Sequence, residues 1–507
     1  MDNNLLQVQN GEAVPRIDIP DLDFITFRRT VLESTRKGGF VVQFFAYENE
    51  EKELKLVTVL RSGLKLYVTG CSLADEYPSM TCECLKFHMF EREIAEQFGV
   101  IPKNHPWLKM VRYHENYRGK DDVFGNDYNK DIPGNYPYFT VEGDGVHEVA
   151  VGPVHAGIIE PGHFRFQCAG EEVLSLEIQL GYQHRGAEKL LEQSGMPLNR
   201  LASIAECIAG DTSVGHSLCF SQAIEGLAKL EVSQGVKKIR CVALELERIA
   251  NHIGDLGALS GDVAFTPPLS YFGRIRGEFL NLSLSMAGNR FGKRLVRPGG
   301  IAFPVFGEQR QMIIDTIADE IPGIINVCDL LFSAHTVLSR FEHTGTVDLK
   351  TAEEIGLVGY AGRASGLSYD ARFIYPTEAY DEVKPNDNKR TIGDVYSRAN
   401  VRREEIMHSL HAIPRLLANL RDVDSIPVPA SHDLTPDSFV VTINEAWRGE
   451  VSHCLLTDKN GEILRYKVKD PSFHNWMGLA LSLRHQGISD FPLCNKSFNL
   501  SYCGFDL

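Results

Sequence analysis

No Cys-x-x-Cys pair occurs among the eleven cysteines of this 507-residue chain. That excludes a zinc ribbon and the usual iron–sulfur runs. The one close pair is Cys82-Glu83-Cys84. In an extended stretch its two thiols would face the same side of a strand, as packed, reduced side chains. Scattered cysteines in odd number point to a reducing compartment. No run of eighteen apolar residues is present, which excludes a simple transmembrane helix. The start, Met1-Asp2-Asn3-Asn4, lacks the basic and apolar regions of a signal peptide, so a cytoplasmic protein is expected, touching membranes only through partners. Positive charge is also scarce. Lys and Arg number 52 against 67 Asp and Glu, a net charge of −15, and no nucleic-acid or anionic-lipid surface is expected. Repeats and low-complexity tracts are absent.

What is present divides by pattern. The helical spacing of Phe24–Arg36, broken by Gly38-Gly39, precedes strand-like runs at 40–47, 54–60 and 65–69. Residues 1–115 therefore read as a small α+β domain. Residues 116–146, rich in Gly, Asp, Asn, Pro and Tyr, read as an extended linker. Residues 147–507 read as a large, mainly α domain. Its helical patterns fall at 222–230, 241–259, 271–291, 309–332 and 401–420. A small β element occupies 438–443, 450–456 and 462–468, with a turn at Asp458-Lys459-Asn460-Gly461. The fold class is α+β.

Glu91-Arg92-Glu93 runs into Phe98-Gly99-Val100 and then His105-Pro106-Trp107-Leu108, a charged helix closed by a glycine cap. With Tyr77-Pro78-Ser79, this set resembles the C subunit of NADH-quinone oxidoreductase (complex I), which implies docking and no chemistry. A second set is spread over the rest of the chain. It comprises Gly152-Pro153-Val154-His155, Glu160-Pro161-Gly162-His163-Phe164, and His184-Arg185-Gly186 with Glu188-Lys189-Leu190. Ala446-Trp447-Arg448-Gly449-Glu450, Pro471-Ser472-Phe473-His474-Asn475 and Asp490-Phe491-Pro492-Leu493 complete it. These motifs resemble the D subunit of complex I and, more closely, the large subunit of membrane-bound hydrogenases of the formate hydrogenlyase type.

The departures from that pattern carry as much information. The resemblance puts Ala209 and Thr212 at the places of one metal-binding Cys-x-x-Cys pair, and Ser501 and Gly504 at the other. Cys207 and Cys503 lie out of register. A hydroxyl or a bare glycine cannot replace a thiolate on a soft metal. No nickel–iron site and no cofactor bound by this chain are expected. A different metal held through Cys207 and Cys503 stays open. The quinone-binding tyrosine of complex I would fall near Gly210 or Asp211.

The resemblance aims Glu160, His163, Asp211, His216 and Arg448 at one cavity. Such groups can relay protons when burial and neighbours bring their pKa values toward neutrality. The structural alternatives are hydrogen-bonded histidines, Arg448 neutralising Glu160 or Asp211 and holding the tail, and Asp211 capping a helix that starts near Thr212. His184 and Arg185 are expected to face the iron–sulfur cluster of a small partner subunit. The alternative for Arg185 is a salt bridge within a long helix. The implied function is that of a core subunit of a complex-I-like or formate-hydrogenlyase-like oxidoreductase, peripheral on the inner face of the cell membrane. It would couple electron transfer to proton movement or to reduction of an acceptor such as quinone, beside antiporter-like membrane subunits. The competing class is a non-catalytic assembly subunit of the same complex.

Overall fold

The computed structural model describes residues 4–120, 122–124, 133–135, 137–383, 389–418, 420–424 and 433–507. Part of the expected linker, residues 121, 125–132 and 136, lies outside the described residues.

Strands β1 (Leu6–Val8), β2 (Val14–Pro15) and β3 (Asp21–Leu22) lead into helix α1 (Phe24–Arg36). Asp23 starts α1 by accepting the Thr26 N–H, and Gly38, at φ +87°, turns the chain away from its end. Three long strands follow, β4 (Phe40–Glu48), β5 (Leu54–Ser62) and β6 (Lys65–Ser72), paired antiparallel in the order β6-β5-β4. Both β1 and β3 pair with β6. Helix α2 (His88–Phe98) stops where Gly99 adopts the left-handed conformation, φ +63°.

The expected extended stretch at Cys82–Cys84 is instead a turn. The Glu91 carboxylate accepts the hydroxyls of Ser79 and Thr81 (2.6 Å each) and the N–H groups of Met80 and Thr81 (2.8 and 3.0 Å). Gathering four donors onto one carboxylate curls the chain, leaving Cys82 exposed and Cys84 half-buried.

Further along the chain, β7 (Val146–Val151), β8 (His163–Ala169) and β9 (Glu172–Gln179) form an antiparallel sheet with β8 central. Helices α3 (Ser213–Ala228), α4 (Gln234–Asp262), α5 (Thr266–Ala287), α6 (Gly307–Ser333) and α7 (Val395–Leu417) make the bulk of the second half. Helix α5 begins five residues before its periodic pattern, because Pro267-Pro268 in a first turn costs no helix hydrogen bond. The chain closes with β10 (Ser438–Ala446), β11 (Gly449–Thr457), β12 (Ile463–Lys469), α8 (Ser472–Ser482) and α9 (Tyr502–Asp506).

Strand β2 stands outside the N-terminal sheet and pairs with β10, completing a sheet of order β12-β11-β10-β2. The two sheets share apolar packing in which Val42, Phe45 and Val59 meet Val441, Ile443 and Cys454. Gln43 reaches across to Ser452, donating to its carbonyl at 3.1 Å and its hydroxyl at 2.9 Å. Phe44 and Phe90 continue the core to Phe473, whose ring lies 5.0 Å from that of Phe90. Each such buried side chain contributes roughly 2–3 kcal/mol. Among the described residues no single helix is long and apolar enough to cross a membrane.

Candidate functional site: a carboxylate–arginine cluster under the C-terminal tail

Residues 499–507 are held to the protein by guanidinium groups from three separate segments. Arg448, on the tight turn between β10 and β11, donates from Nε to the Asn499 carbonyl at 2.7 Å. Arg185, in a loop, donates to the carbonyls of Cys207, of Ile208 (2.8 Å) and of Cys503 (2.9 Å). Arg112 donates to the Phe505 carbonyl at 2.9 and 3.0 Å and pairs with Glu93 of α2. Carbonyl oxygens of a loop, and those in the last turn of a helix, need donors when buried. A planar fork supplies several at once.

Arg448 also makes a two-pronged ion pair with Asp211, at 2.5 and 2.7 Å, and touches the Thr212 hydroxyl at 3.2 Å. Its guanidinium stacks 3.9 Å above the Trp447 ring, whose indole N–H holds the Asp211 carbonyl at 2.9 Å. Burial works against ionisation of Asp211, but the Arg448 charge outweighs it and lowers the Asp211 pKa. Asp211 does not cap α3, since Thr212 occupies that place without a side-chain bond. The first N–H groups of α3, from Val214 and Gly215, are taken by Glu247 of α4 (2.7 and 3.2 Å). Burial pushes the Glu247 pKa up to about 8.

Glu160 is exposed as a residue, yet its carboxyl end packs against the tail, where the N–H groups of Tyr502 and Cys503 face it. Desolvation there, reinforced by the Asp211 charge, raises its pKa, with Arg448 opposing. His216 lies beneath the cluster, fully buried, between Asp470 (3.1 Å from Nε2) and His453 (3.1 Å from Nδ1). His453 in turn meets the Tyr466 hydroxyl at 2.7 Å. Burial disfavours charge on Asp470, but the bond from His216 and the Arg448 charge lower its pKa. Burial likewise holds the His453 pKa well down, so that ring is neutral. An ionised Asp470 only accepts, so His216 donates to it from Nε2.

The structure thus brings Glu160, Asp211 and Arg448 together, with His216 below. His163 is not among them. Its Nδ1 meets the Gly152 carbonyl at 3.1 Å and its Nε2 accepts from Arg165 at 3.1 Å. His184 bonds the Asp506 carbonyl at 2.7 Å and stacks on His114, and burial depresses its pKa to about 4. Arg185 stands outside any helix, exposed beside its three carbonyl partners. Asp470, His453, Tyr466 and Glu247 are not anticipated by the sequence.

The residues at the four ligand places do not fit a thiolate-held metal. Ala209 is buried and apolar, and the Thr212 hydroxyl is engaged by Arg448. The Ser501 hydroxyl caps α9 by accepting the Gly504 N–H at 2.9 Å. A Cβ on Gly504 would lie 2.7 Å from Asp470 Oδ2 and 2.8 Å from Ser501 Oγ, so Asp470 occupies the room a side chain there would need. Among the described residues no group of three or more His, Cys, Asp or Glu converges on a metal position. The Cys503 sulfur lies 3.5 Å from the Ser501 hydroxyl, and Cys207 is exposed near Lys293. Gly504→Ala is expected to lower unfolding stability by about 1–3 kcal/mol, measured by chemical denaturation.

The chain is similar to group 4 hydrogenase and complex-I-like large subunits. Residues 262–438 match the family described as the respiratory-chain NADH dehydrogenase 49 kDa subunit. Over 454 residues, 86% of this chain and 78% of the relative, it is 27% identical to hydrogenase-4 component G of Escherichia coli (strain K12). It is 26% identical to formate hydrogenlyase subunit 5 of the same organism over 493 residues, 92% of this chain and 84% of that one. With the NADH-quinone oxidoreductase C/D subunit of Bacteroides thetaiotaomicron it shares 28% identity over 438 residues, 81% of each chain.

Proposed function

We propose that the chain is a core subunit of a complex-I-like or hydrogenase-4/formate-hydrogenlyase-type membrane complex, and that its tail cluster moves protons in step with electrons supplied by a partner. The observation that carries this reading is the run of titratable groups from exposed Glu160, through Asp211 and Arg448, to the buried Asp470–His216–His453–Tyr466 chain. Opposed influences of burial and Arg448 set the carboxyl pKa values apart, which suits a donor–acceptor pair. Glu160, raised and near solvent, would exchange the proton. Asp211, held ionised by Arg448, would fix the local charge.

Docking of a small iron–sulfur subunit would use the face bearing Arg185, an exposed guanidinium that lends positive potential to a protein of net charge −15. The acceptor would be a quinone-class molecule or a proton-coupled partner, with antiporter-like membrane subunits completing the assembly. No step passes through a nickel–iron group. A purely structural role is the second reading, favoured by the engagement of the Arg448 guanidinium with Asp211, Thr212 and the tail. Turnover of the purified complex with quinone acceptors separates the two. Glu160→Gln is expected to cut turnover at least tenfold while the complex assembles normally. Full turnover in that variant would leave the structural reading.

A further inference from the structure

Away from the Asp211–Arg448 cluster, a cavity of about 530 Å³ opens where residues 81–107 meet α8 and the short helix Leu349–Ile355. Leu85, Pro106 and Trp107 wall it on one side, and Ile355, Met477 and Leu481 on the other. Its inner end adjoins a smaller chamber of about 40 Å³, since His88, Trp107 and Met477 line both. That chamber continues past Met89, Met110 and Trp476 to Phe505 of the tail. Aromatic rings, aliphatic side chains and thioethers make up these walls. Such side chains offer large apolar contact and adapt to irregular shapes.

One polar side chain at the junction of the two spaces lacks a partner. His88, the first residue of α2, is only 7% exposed and lines both. Its ring makes no hydrogen bond within the described residues. Nδ1 is sealed inside the protein, but Nε2 is not, and Nε2 is the nitrogen within reach of a molecule in the cavity. The ring is also fixed in direction. It stacks on Trp107 with centroids 6.3 Å apart and planes 16° apart, and the Arg92 guanidinium covers the Trp107 ring at 4.6 Å. Burial and the Arg92 charge depress the His88 pKa to about 3. The imidazole is therefore neutral, with one donor and one acceptor nitrogen.

We propose that this cavity binds an uncharged aromatic molecule bearing a hydroxyl, a phenol, whose hydroxyl bonds to Nε2 of His88. A hydroxyl both donates and accepts, so it suits either tautomer of the ring. An aromatic body gains offset contact with Trp107 and a sulfur contact with Met477. Water would serve the nitrogen but leave the apolar walls uncovered. Ions fit poorly, because a neutral imidazole supplies no counter-charge and the rim mixes Arg484 with Asp348 and Glu354. An apolar hollow with one placed polar group is the usual form of a small-molecule site. It is separate from the Asp211–Arg448 cluster and does not rest on the proton-coupling reading.

Calorimetric titration of the purified chain with 2-naphthol at pH 7, where that phenol is uncharged, tests this, with naphthalene and 2-naphthoate beside it. Saturable one-to-one binding of 2-naphthol is expected, at least tenfold tighter than either comparison compound. In His88→Phe, which keeps a flat ring against Trp107 and removes both nitrogens, 2-naphthol should bind at least tenfold more weakly. Hydrogen exchange of residues 349–355 in the unaltered chain should slow on adding 2-naphthol, a readout independent of how the variant folds. Absence of saturable binding, equal binding of naphthalene or 2-naphthoate, equal binding by His88→Phe, or unchanged exchange at 349–355 would each overturn the proposal.

Discussion

Arg448→Met is expected to destabilise the protein by about 3 kcal/mol and to free the C-terminal tail. Methionine keeps an apolar stem over the Trp447 ring but loses every donor. Asp211 is left as an uncompensated carboxylate, and the Asn499 carbonyl loses its 2.7 Å bond. Breaking a buried pair by removing one partner costs roughly 3–5 kcal/mol. The Arg448 side chain is 4% exposed but that of Asp211 is 36% exposed, so water tempers the loss and the low end applies. Arg448→Lys should fall between, because an ammonium keeps the charge but not the fork that spans both Asp211 oxygens. Chemical denaturation gives the free energy, and carboxypeptidase digestion reports the tail. A change under about 0.5 kcal/mol, within the range of ordinary surface substitutions, with a tail as resistant as before, would mean the ion pair does not hold this segment.

Much of this arrangement is legible ahead of the structure, for identifiable reasons. Helix α1 occupies Phe24–Arg36 as its spacing predicts, strands β4 to β6, β10 and β11 contain the runs expected of them, and β12 lies one residue later than its run. These segments are periodic over many residues, and periodicity is the strongest local signal. Asp211 and Arg448 are reached through motif resemblance rather than local pattern. Sheet β7-β8-β9 escapes the sequence reading although a signal exists: Phe164, Phe166 and Cys168 alternate and are all fully buried. The short, glycine- and proline-rich approach at 152–162 masks it.

Asp470, His453 and Tyr466 have no comparable signal. His216 meets Asp470 and His453 across 254 and 237 residues of sequence, and only the register of β11 against β12, packed on α3, brings them together. Glu247 reads as one more polar position on a long helix until the first turn of α3 is seen to lack a cap of its own. His163 shows the converse. Its motif is present as expected, but strand pairing turns its ring toward Gly152 and Arg165. Side-chain direction in a strand is set by register, which one sequence does not supply.

The second large effect is a pH dependence centred on Asp506. Its side chain is fully buried, with one oxygen accepting the Gly181 N–H at 2.7 Å and the other the Gln183 N–H at 2.8 Å. Its carbonyl holds His184, and the carbonyl of Leu507 accepts the Arg185 N–H. The end of the chain is thereby locked onto the loop that presents Arg185. Burial, opposed by those N–H groups and by the charges of Arg112 and Arg185, pushes the Asp506 pKa up to about 7. An unfolded aspartate titrates near 3.9. Between these values the folded chain keeps a proton that the unfolded chain has released, so folding takes up a proton and stability falls as pH rises. The contribution is fully present below about pH 4 and is lost by about pH 7, on the order of 4 kcal/mol in all. His184, depressed to about 4, tilts the other way in part of the same window, since the unfolded histidine binds the proton there. The informative quantity is therefore the difference between the unaltered chain and Asp506→Asn, in which the His184 contribution cancels. Asparagine gives up one of the two N–H bonds at every pH, which shifts that difference without sloping it. Denaturation at pH 5, 6, 7 and 8 should show the unaltered chain losing stability relative to Asp506→Asn up to pH 7, then running parallel. Parallel curves throughout would mean that Asp506 is ionised in the folded protein across the whole range, with the tail lock insensitive to pH.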